Sequence, residues 1–214
     1  MRASGSNHRL YRVQQCIKRV FDLLLAFLLL IFLSPLLFGS TLAIYLSMGL
    51  PIVFRQVRPG FREKPFSIIK FRTMREDRDS QGNLLPDRER MTWVGSLLRK
   101  LSFDELPQLI SVIKGDLSLI GPRPLLMDYL PLYNSRQKRR HDVPPGVSGW
   151  AQVNGRNNLT WQEKFELDIW YVENWSLWLD VKIFFLTIFK IFAREGVSQK
   201  GHVTMEPFKG NPTP

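Results

Sequence analysis

The sequence predicts an α/β chain, mostly α, in which one apolar block enters a membrane and a small mixed domain faces the cytosol. Three observations predict it. From Leu23 to Phe54 no residue is charged, and most are Leu, Ile, Phe, Val or Ala. Beyond Phe54 charge returns, and short β-branched runs and helical runs are separated by Gly and Pro. The 214 residues carry a formal net charge of +11 and a pI of about 10.1, so the partner is anionic: nucleic acid, acidic lipid or a phosphorylated substrate. The single cysteine, Cys16, excludes an internal disulfide and a Cys-cluster metal site. His8, His141 and His202 are too scattered to suggest one either.

In chain order, residues 1–19 form a basic arm that acidic lipids would attract. Residues 20–54 hold the apolar block, which is too long for a signal peptide and lacks a clear small-residue cleavage site. A spanning helix needs about 20 apolar residues, so one straight crossing is one reading. Two details favour a different one. Ser34-Pro35 divides the block, and a proline inside a helix removes a hydrogen bond and bends the axis. Arg9, Arg12, Lys18 and Arg19 precede the block while Arg55, Arg58, Arg62 and Lys64 follow it, and positive charge at both ends favours the cytoplasm for both. The half from Val20 to Leu33 would measure about 21 Å at 1.5 Å per residue, short of a bilayer core of about 30 Å. A helix–break–helix hairpin that enters and leaves one leaflet meets all of these, although a spanning helix stays open on composition alone.

Residues 55–195 read as the cytosol-facing domain. Pro65 to Phe71 has the character of a short strand. Glu76 to Arg90 is charged, contains Gly82 and Pro86, and reads as a loop. Thr92 to Ser111 and Leu159 to Trp175 read as helical. In 178–192 the polar residues Asp180, Lys182, Thr187 and Lys190 fall in one helical arc of about 160°, which leaves a broad Phe/Ile/Leu face. That face either packs on a core or lies in a bilayer interface beside Trp175 and Trp178. The tail, 196–214, is polar and is expected to be loosely ordered.

Three clusters could carry chemistry. Lys70-Phe-Arg-Thr-Met74 places Lys70 and Arg72 on one face of a strand end, which suits a phosphate, although lysines also protect strand edges. In Ser102-Phe-Asp-Glu-Leu-Pro-Gln108, Ser102 and Glu105 have capping-box spacing and Asp104 complements a positive helix end. Alternatively, the adjacent carboxylates Asp104 and Glu105 hold a divalent cation and supply a nucleophile for phosphoryl transfer. Gly121-Pro-Arg-Pro124 and Asn154-Gly-Arg-Asn157 each set an arginine, Arg123 or Arg156, in a tight backbone where its fork could grip a diphosphate.

Taken in series, Lys70-Phe-Arg-Thr-Met74, Asp104-Glu-Leu-Pro-Gln-Leu109, Lys114-Gly-Asp116, Gly121-Pro-Arg-Pro124, Pro145-Gly-Val-Ser-Gly149 and Ala151-Gln-Val-Asn-Gly-Arg-Asn157 resemble the bacterial sugar transferases, the monotopic phosphoglycosyl transferases. The likeness is collinear, includes the Ser34-Pro35 break and is nearest to the short diacetylbacillosamine phosphotransferases of protein N-glycosylation. The resemblance implies a re-entrant helix bent at Ser34-Pro35 and a catalytic domain at the cytoplasmic face of a bacterial inner membrane. It implies Asp104 as nucleophile with Glu105 as its partner, and Lys70, Arg72, Arg123, Arg156 and Asp168 as polar site positions. It further implies Mg2+ held at Asp104, a UDP-sugar donor and a polyprenyl phosphate acceptor. No nucleic-acid motif appears, and a non-catalytic lipid-binding scaffold is the rival reading.

Overall fold

The computed structural model describes residues 5–155, 158–193 and 207–211. Helix α1 (Gly5–Phe32) and helix α2 (Ser34–Met48) are the apolar block and its approach. A 60° bend separates Arg12–Phe32 from Ser34–Met48. The bend has a local cause: Pro35 falls in the first turn of α2 and has no N–H to donate, and the Ser34 hydroxyl donates to the Ile31 carbonyl at 2.7 Å. No single helix among the described residues is long and apolar enough to cross a membrane, whereas this bent pair has the length and composition of a broken span or a re-entrant loop.

Two features of α1 differ from the sequence expectation. The helix runs 28 residues without a boundary at 19/20, about 42 Å at 1.5 Å per residue. Its basic residues are also not simply a flank. Lys18 donates to Asp180 at 2.6 Å and to the Ile120 carbonyl at 3.0 Å, and Arg19 donates to the Val112 and Ile113 carbonyls at 2.6 and 2.9 Å. Asp22 accepts from Ser118 at 2.7 Å and from the Leu119 N–H at 3.2 Å. Lys18 and Arg19 thus answer specific buried acceptors, so their charge says less about topology than their position suggests.

A cis Leu50–Pro51 bond leads into strands β1 (Val53–Pro59) and β2 (Pro65–Phe71), an antiparallel pair in which Phe54 faces Lys70 and Arg58 faces Phe66. Helices α3 (Trp93–Lys100) and α4 (Gln108–Lys114) follow. Gly95 is required where α3 meets the chain just beyond β2, since a Cβ there would lie 1.8 Å from the Thr73 carbonyl oxygen. Strands β3 (Ser118–Ile120) and β4 (Gly146–Ser148) pair in parallel. Helices α5 (Trp161–Asn174) and α6 (Leu177–Ala193) close the body. One core joins Ala26 of α1, Ile68 of β2, Val112 of α4, Leu119 of β3, Tyr171 of α5 and Ile183 of α6. The base of α1 is therefore part of the domain that follows it.

Helix α6 turns part of its polar arc, Asp180 and Thr187, inward. Asp180 accepts from Lys18, from Tyr171 at 2.7 Å and from Trp175 at 3.1 Å, Thr187 bonds Ser148 at 2.6 Å, and Lys182 lies over the Trp150 ring. Leu179 and Ile183 enter the core, yet Trp178, Phe185 and Phe189 stay exposed. Packing on a core thus accounts for one side of the 178–192 face, and its other side is exposed. The tail also departs from expectation within 207–211. Phe208 is buried among Tyr129, Tyr133, Trp161 and Phe165, and Asn211 bonds Gln137 and the Leu132 carbonyl. A lone aromatic in a polar stretch leaves no compositional trace, but it carries enough apolar area to dock the segment.

Candidate active site

The acidic pair sits where the chain turns sharply between α3 and α4. Ser102 adopts a left-handed conformation (φ 59°), and a single 3-10 turn, Phe103–Glu105, follows before α4 begins at Gln108. This is not the capping box that the spacing suggests. Ser102 makes no side-chain cap bond, and the Glu105 carboxylate is engaged elsewhere, because cations bind a carboxylate more strongly than a neutral backbone N–H does. Lys70 donates to its Oε1 at 2.9 Å, and Arg123 grips both oxygens in a fork, Nη1 to Oε2 at 3.1 Å and Nη2 to Oε1.

The two carboxyls therefore differ in character. Burial disfavours the Glu105 charge, but Arg123 and Lys70 outweigh it and hold the carboxyl well below the usual carboxylate range. Asp104 is pushed up to about 6 by burial and by the neighbouring Glu105 charge, against the pull of Lys70, Arg99 and Arg123. No described residue donates a hydrogen bond to Asp104, which lines a cavity of about 870 Å³. One carboxylate is locked in place as an anion. The other is open to the cavity and poised near neutrality.

Arg123 is aimed by a relay that starts at Asp168. The chain leaves β3 at Gly121, whose N–H donates to the Ser148 carbonyl at 2.8 Å. A Cβ on Gly146 would lie 2.1 Å from the Gly121 nitrogen, so the two motifs that contain these glycines pack backbone on backbone. Arg140 holds the Arg123 carbonyl at 2.8 Å, bonds the Tyr133 hydroxyl at 3.3 Å and pairs with Asp168 at 2.6 Å. Burial raises the Asp168 carboxyl, with Arg140 opposing. Asp168 serves the site mainly through Arg140, a residue that sequence reasoning missed.

The remaining expected positions fare differently. Lys70 and Arg123 meet at Glu105, so their direct charge is spent there before any phosphate arrives. Arg72 lines the cavity, but its guanidinium donates to the carbonyls of Met48, Gly49 and Leu50 and clamps the end of α2. Arg156 lies outside the described residues. The cavity wall adds cations not anticipated, among them Arg58, Arg99 and Lys164. Arg58 was reachable in principle, since pairing of β1 with β2 puts it on the same face as Lys70. Arg99 donates to Thr73 at 3.0 Å. Lys164, in α5, is held down to about 8 by burial and Arg123, with Asp168 opposing. No local signal marked Arg99 or Lys164.

Among the described residues no three His, Cys, Asp or Glu side chains cluster to cage a metal. Asp104 offers open carboxylate oxygens beside a cavity rich in cations. That fits magnesium, which keeps several waters and binds through one or two carboxylates plus substrate phosphates.

An acid pair of unequal basicity lies under a cationic wall on a small helix–sheet body, an arrangement suited to phosphorylated groups. The sequence match is to the family described as bacterial sugar transferase and runs over residues 13–194. The chain belongs to that family. It is 57% identical over 195 residues to the uncharacterized sugar transferase EpsL of Bacillus subtilis, covering 91% of this chain and 96% of that one. It is 39% identical over 193 residues to the UDP-glucose:undecaprenyl-phosphate glucose-1-phosphate transferase of Escherichia coli, covering 86% of this chain but 42% of that one. The exopolysaccharide production protein ExoY of Sinorhizobium fredii is 40% identical over 188 residues, with 80% and 83% covered. The chain thus spans nearly all of EpsL and less than half of the Escherichia coli enzyme.

Proposed function

We propose that the chain transfers a sugar 1-phosphate from a UDP-sugar to polyprenyl (undecaprenyl) phosphate with release of UMP, the first membrane step in building a glycoconjugate. The observation that carries the reading is the open Asp104 carboxylate beside the locked Glu105. The name of the Escherichia coli relative, a UDP-glucose:undecaprenyl-phosphate glucose-1-phosphate transferase, supports the substrate classes.

In the first stage an Asp104 oxygen attacks the β-phosphorus of the UDP-sugar. The bond to the bridging oxygen breaks, that oxygen leaves with UMP, and an aspartyl phosphosugar forms. In the second stage an oxygen of the lipid phosphate attacks the same phosphorus and the Asp104 carboxylate leaves, giving polyprenyl-diphosphate-sugar. Glu105 stays anionic and fixes Lys70 and Arg123 near the reacting phosphate. Arg58, Arg99 and Lys164 offset the charge of the diphosphate from the cavity wall. Magnesium, held at Asp104 and by substrate oxygens, would supply further charge neutralisation.

The bent α1–α2 pair, with the outer face of α6, anchors the domain on the cytoplasmic face of the inner membrane, where a lipid phosphate and a soluble nucleotide both reach Asp104. The test is to incubate the protein with magnesium and labelled UDP-sugar without lipid, then map the label by mass spectrometry. The label belongs on Asp104, disappears when polyprenyl phosphate is added, and is absent from Asp104→Asn. An Asp104→Asn protein turning over near the wild-type rate would sink the covalent mechanism. A folded wild type that releases no UMP from any UDP-sugar would return the chain to the lipid-binding scaffold reading.

A further inference from the structure

The loop between β2 and α3 closes at its base, where the Arg75 N–H donates to the Arg90 carbonyl at 2.9 Å and Met74 bridges Met91. This base is a wall shared by two cavities. On one side lies the Asp104 cavity. On the other lies a second cavity of about 370 Å³, lined among others by Ser47, Glu89, Thr92 and Trp93. Arg75 and Arg90 line both.

The second cavity has the mixed chemistry of a lipid headgroup site. Ser47 comes from the last turn of α2, and Thr92 caps α3 through Gly95 while its hydroxyl reaches the Met48 sulfur at 3.6 Å. The two helix ends are thereby pinned together, and both expose apolar side chains: Trp93 is 78% exposed, and Leu46, beside Ser47, is 75% exposed. The two guanidiniums differ in availability. Arg90 is committed to Asp87 at 2.6 Å and to the Leu85 carbonyl at 2.7 Å. The Arg75 side chain makes no hydrogen bond or ion pair with a described residue, and neither does that of Glu89 nearby.

We propose that this second cavity receives the phosphate of the polyprenyl acceptor, with Arg75 as its cation, and passes it along the shared wall to the phosphorus held on Asp104. The inference rests on the proposed two-stage reaction. A soluble nucleotide sugar gains nothing from an apolar rim, whereas a prenyl phosphate needs a cation for its head and apolar surface for its tail. Donor and acceptor would then enter through separate doors to one nucleophile. Arg75, lining both cavities, marks where the doors meet. Glu89 opposes an incoming anion and so limits how tightly the acceptor is held.

The experiment separates the stages. Wild type, Arg75→Ala, Glu89→Gln and Ser47→Trp are loaded with labelled UDP-sugar, then chased with undecaprenyl phosphate in nanodiscs. The half-saturating lipid concentration should rise about tenfold in Arg75→Ala, as expected for one lost charge-assisted phosphate contact. It should also rise in Ser47→Trp, which fills the cavity, and fall in Glu89→Gln, with no parallel change for the UDP-sugar. Unchanged lipid dependence in both Arg75→Ala and Ser47→Trp overturns the proposal, and so does an equal change for the donor. A diazirine-bearing polyprenyl phosphate gives a readout that needs no turnover. Label at Trp93 or on the last turn of α2 supports the site, and label confined to other segments overturns it. A wild type that is labelled there but never releases UMP keeps the site and refutes the transferase reading.

Discussion

Asp104 and Glu105 are neighbours in sequence with opposite electrostatic fates, and both consequences can be measured. Because Asp104 ionises near pH 6, adduct formation should fall as pH drops through about 6. Glu105→Gln removes the like charge and frees Lys70 and Arg123, so the midpoint should move down in that variant even though its maximal rate falls. A midpoint unmoved by Glu105→Gln would disprove the coupling. The same shift bears on stability. A carboxyl whose folded pKa lies above its ordinary 3.8 destabilises the fold once ionised, so the penalty is absent below about 4 and complete above about 6. Asp104→Asn should therefore be more stable than wild type at pH 8, by about 3 kcal/mol at most, and gain nothing at pH 4. Thermal melts at the two pH values decide it. Arg123→Lys loses the fork on Glu105. An ammonium cannot replace two parallel bonds, so catalytic efficiency should fall roughly 10- to 150-fold, the equivalent of one charge-assisted contact. Unchanged kinetics would leave Arg123 a purely structural residue.

Among the elements, α1 matters for more than its apolar length. Its Lys18 and Asp22 tie it to α6 and to β3, the strand that leads into Gly121 and Arg123. The Lys18–Asp180 pair is buried, and removing one partner of such a pair costs about 3–5 kcal/mol because the other charge stays buried. Asp180→Ala should lower the urea midpoint accordingly, whereas breaking an exposed pair such as Arg136–Glu166 should leave it nearly unchanged. The C-terminal segment makes a similar point. Phe208→Ala should cost about 3–5 kcal/mol, as for other buried aromatic truncations, and equilibrium unfolding will show whether its ring supports Tyr129 and Trp161 at the cavity wall. Arg72 and Glu105 show what element-level reading leaves open. Each was judged by spacing along the chain, but the partners come from the end of α2 and Leu50 for Arg72, and from β2 and the Arg123 turn for Glu105.

For the whole molecule, the exposed apolar sides of the α1–α2 pair, α3 and α6 are the surface that a bilayer would cover under the proposed function. Single cysteines at Ser4 and at Ser198 should both be protected from a membrane-impermeant thiol reagent in intact cells, and periplasmic labelling of either would end the hairpin reading. Pro35→Ala restores the missing N–H and should shift the population towards a straighter, spanning helix.

Much of this architecture was legible in the sequence because its causes are local. A charge-free run, a proline within it, apolar β-branched residues before Lys70 and a polar arc on 178–192 each act within a few residues of themselves. They yielded the bent helix pair, strand β2, the helices and the place of the acid pair. The function class was legible for a different reason, since six collinear motifs keep their order whatever the fold does. What only the tertiary structure decided is who meets whom. Glu105 faces Lys70 and Arg123 rather than a helix end, Asp168 pairs with Arg140, Lys18 is buried against a residue 162 positions away, and Asp180 of α6 points inward. These outcomes depend on desolvating charges against partners distant in sequence. The energy of such a meeting belongs to the assembled interior and is carried by no segment alone.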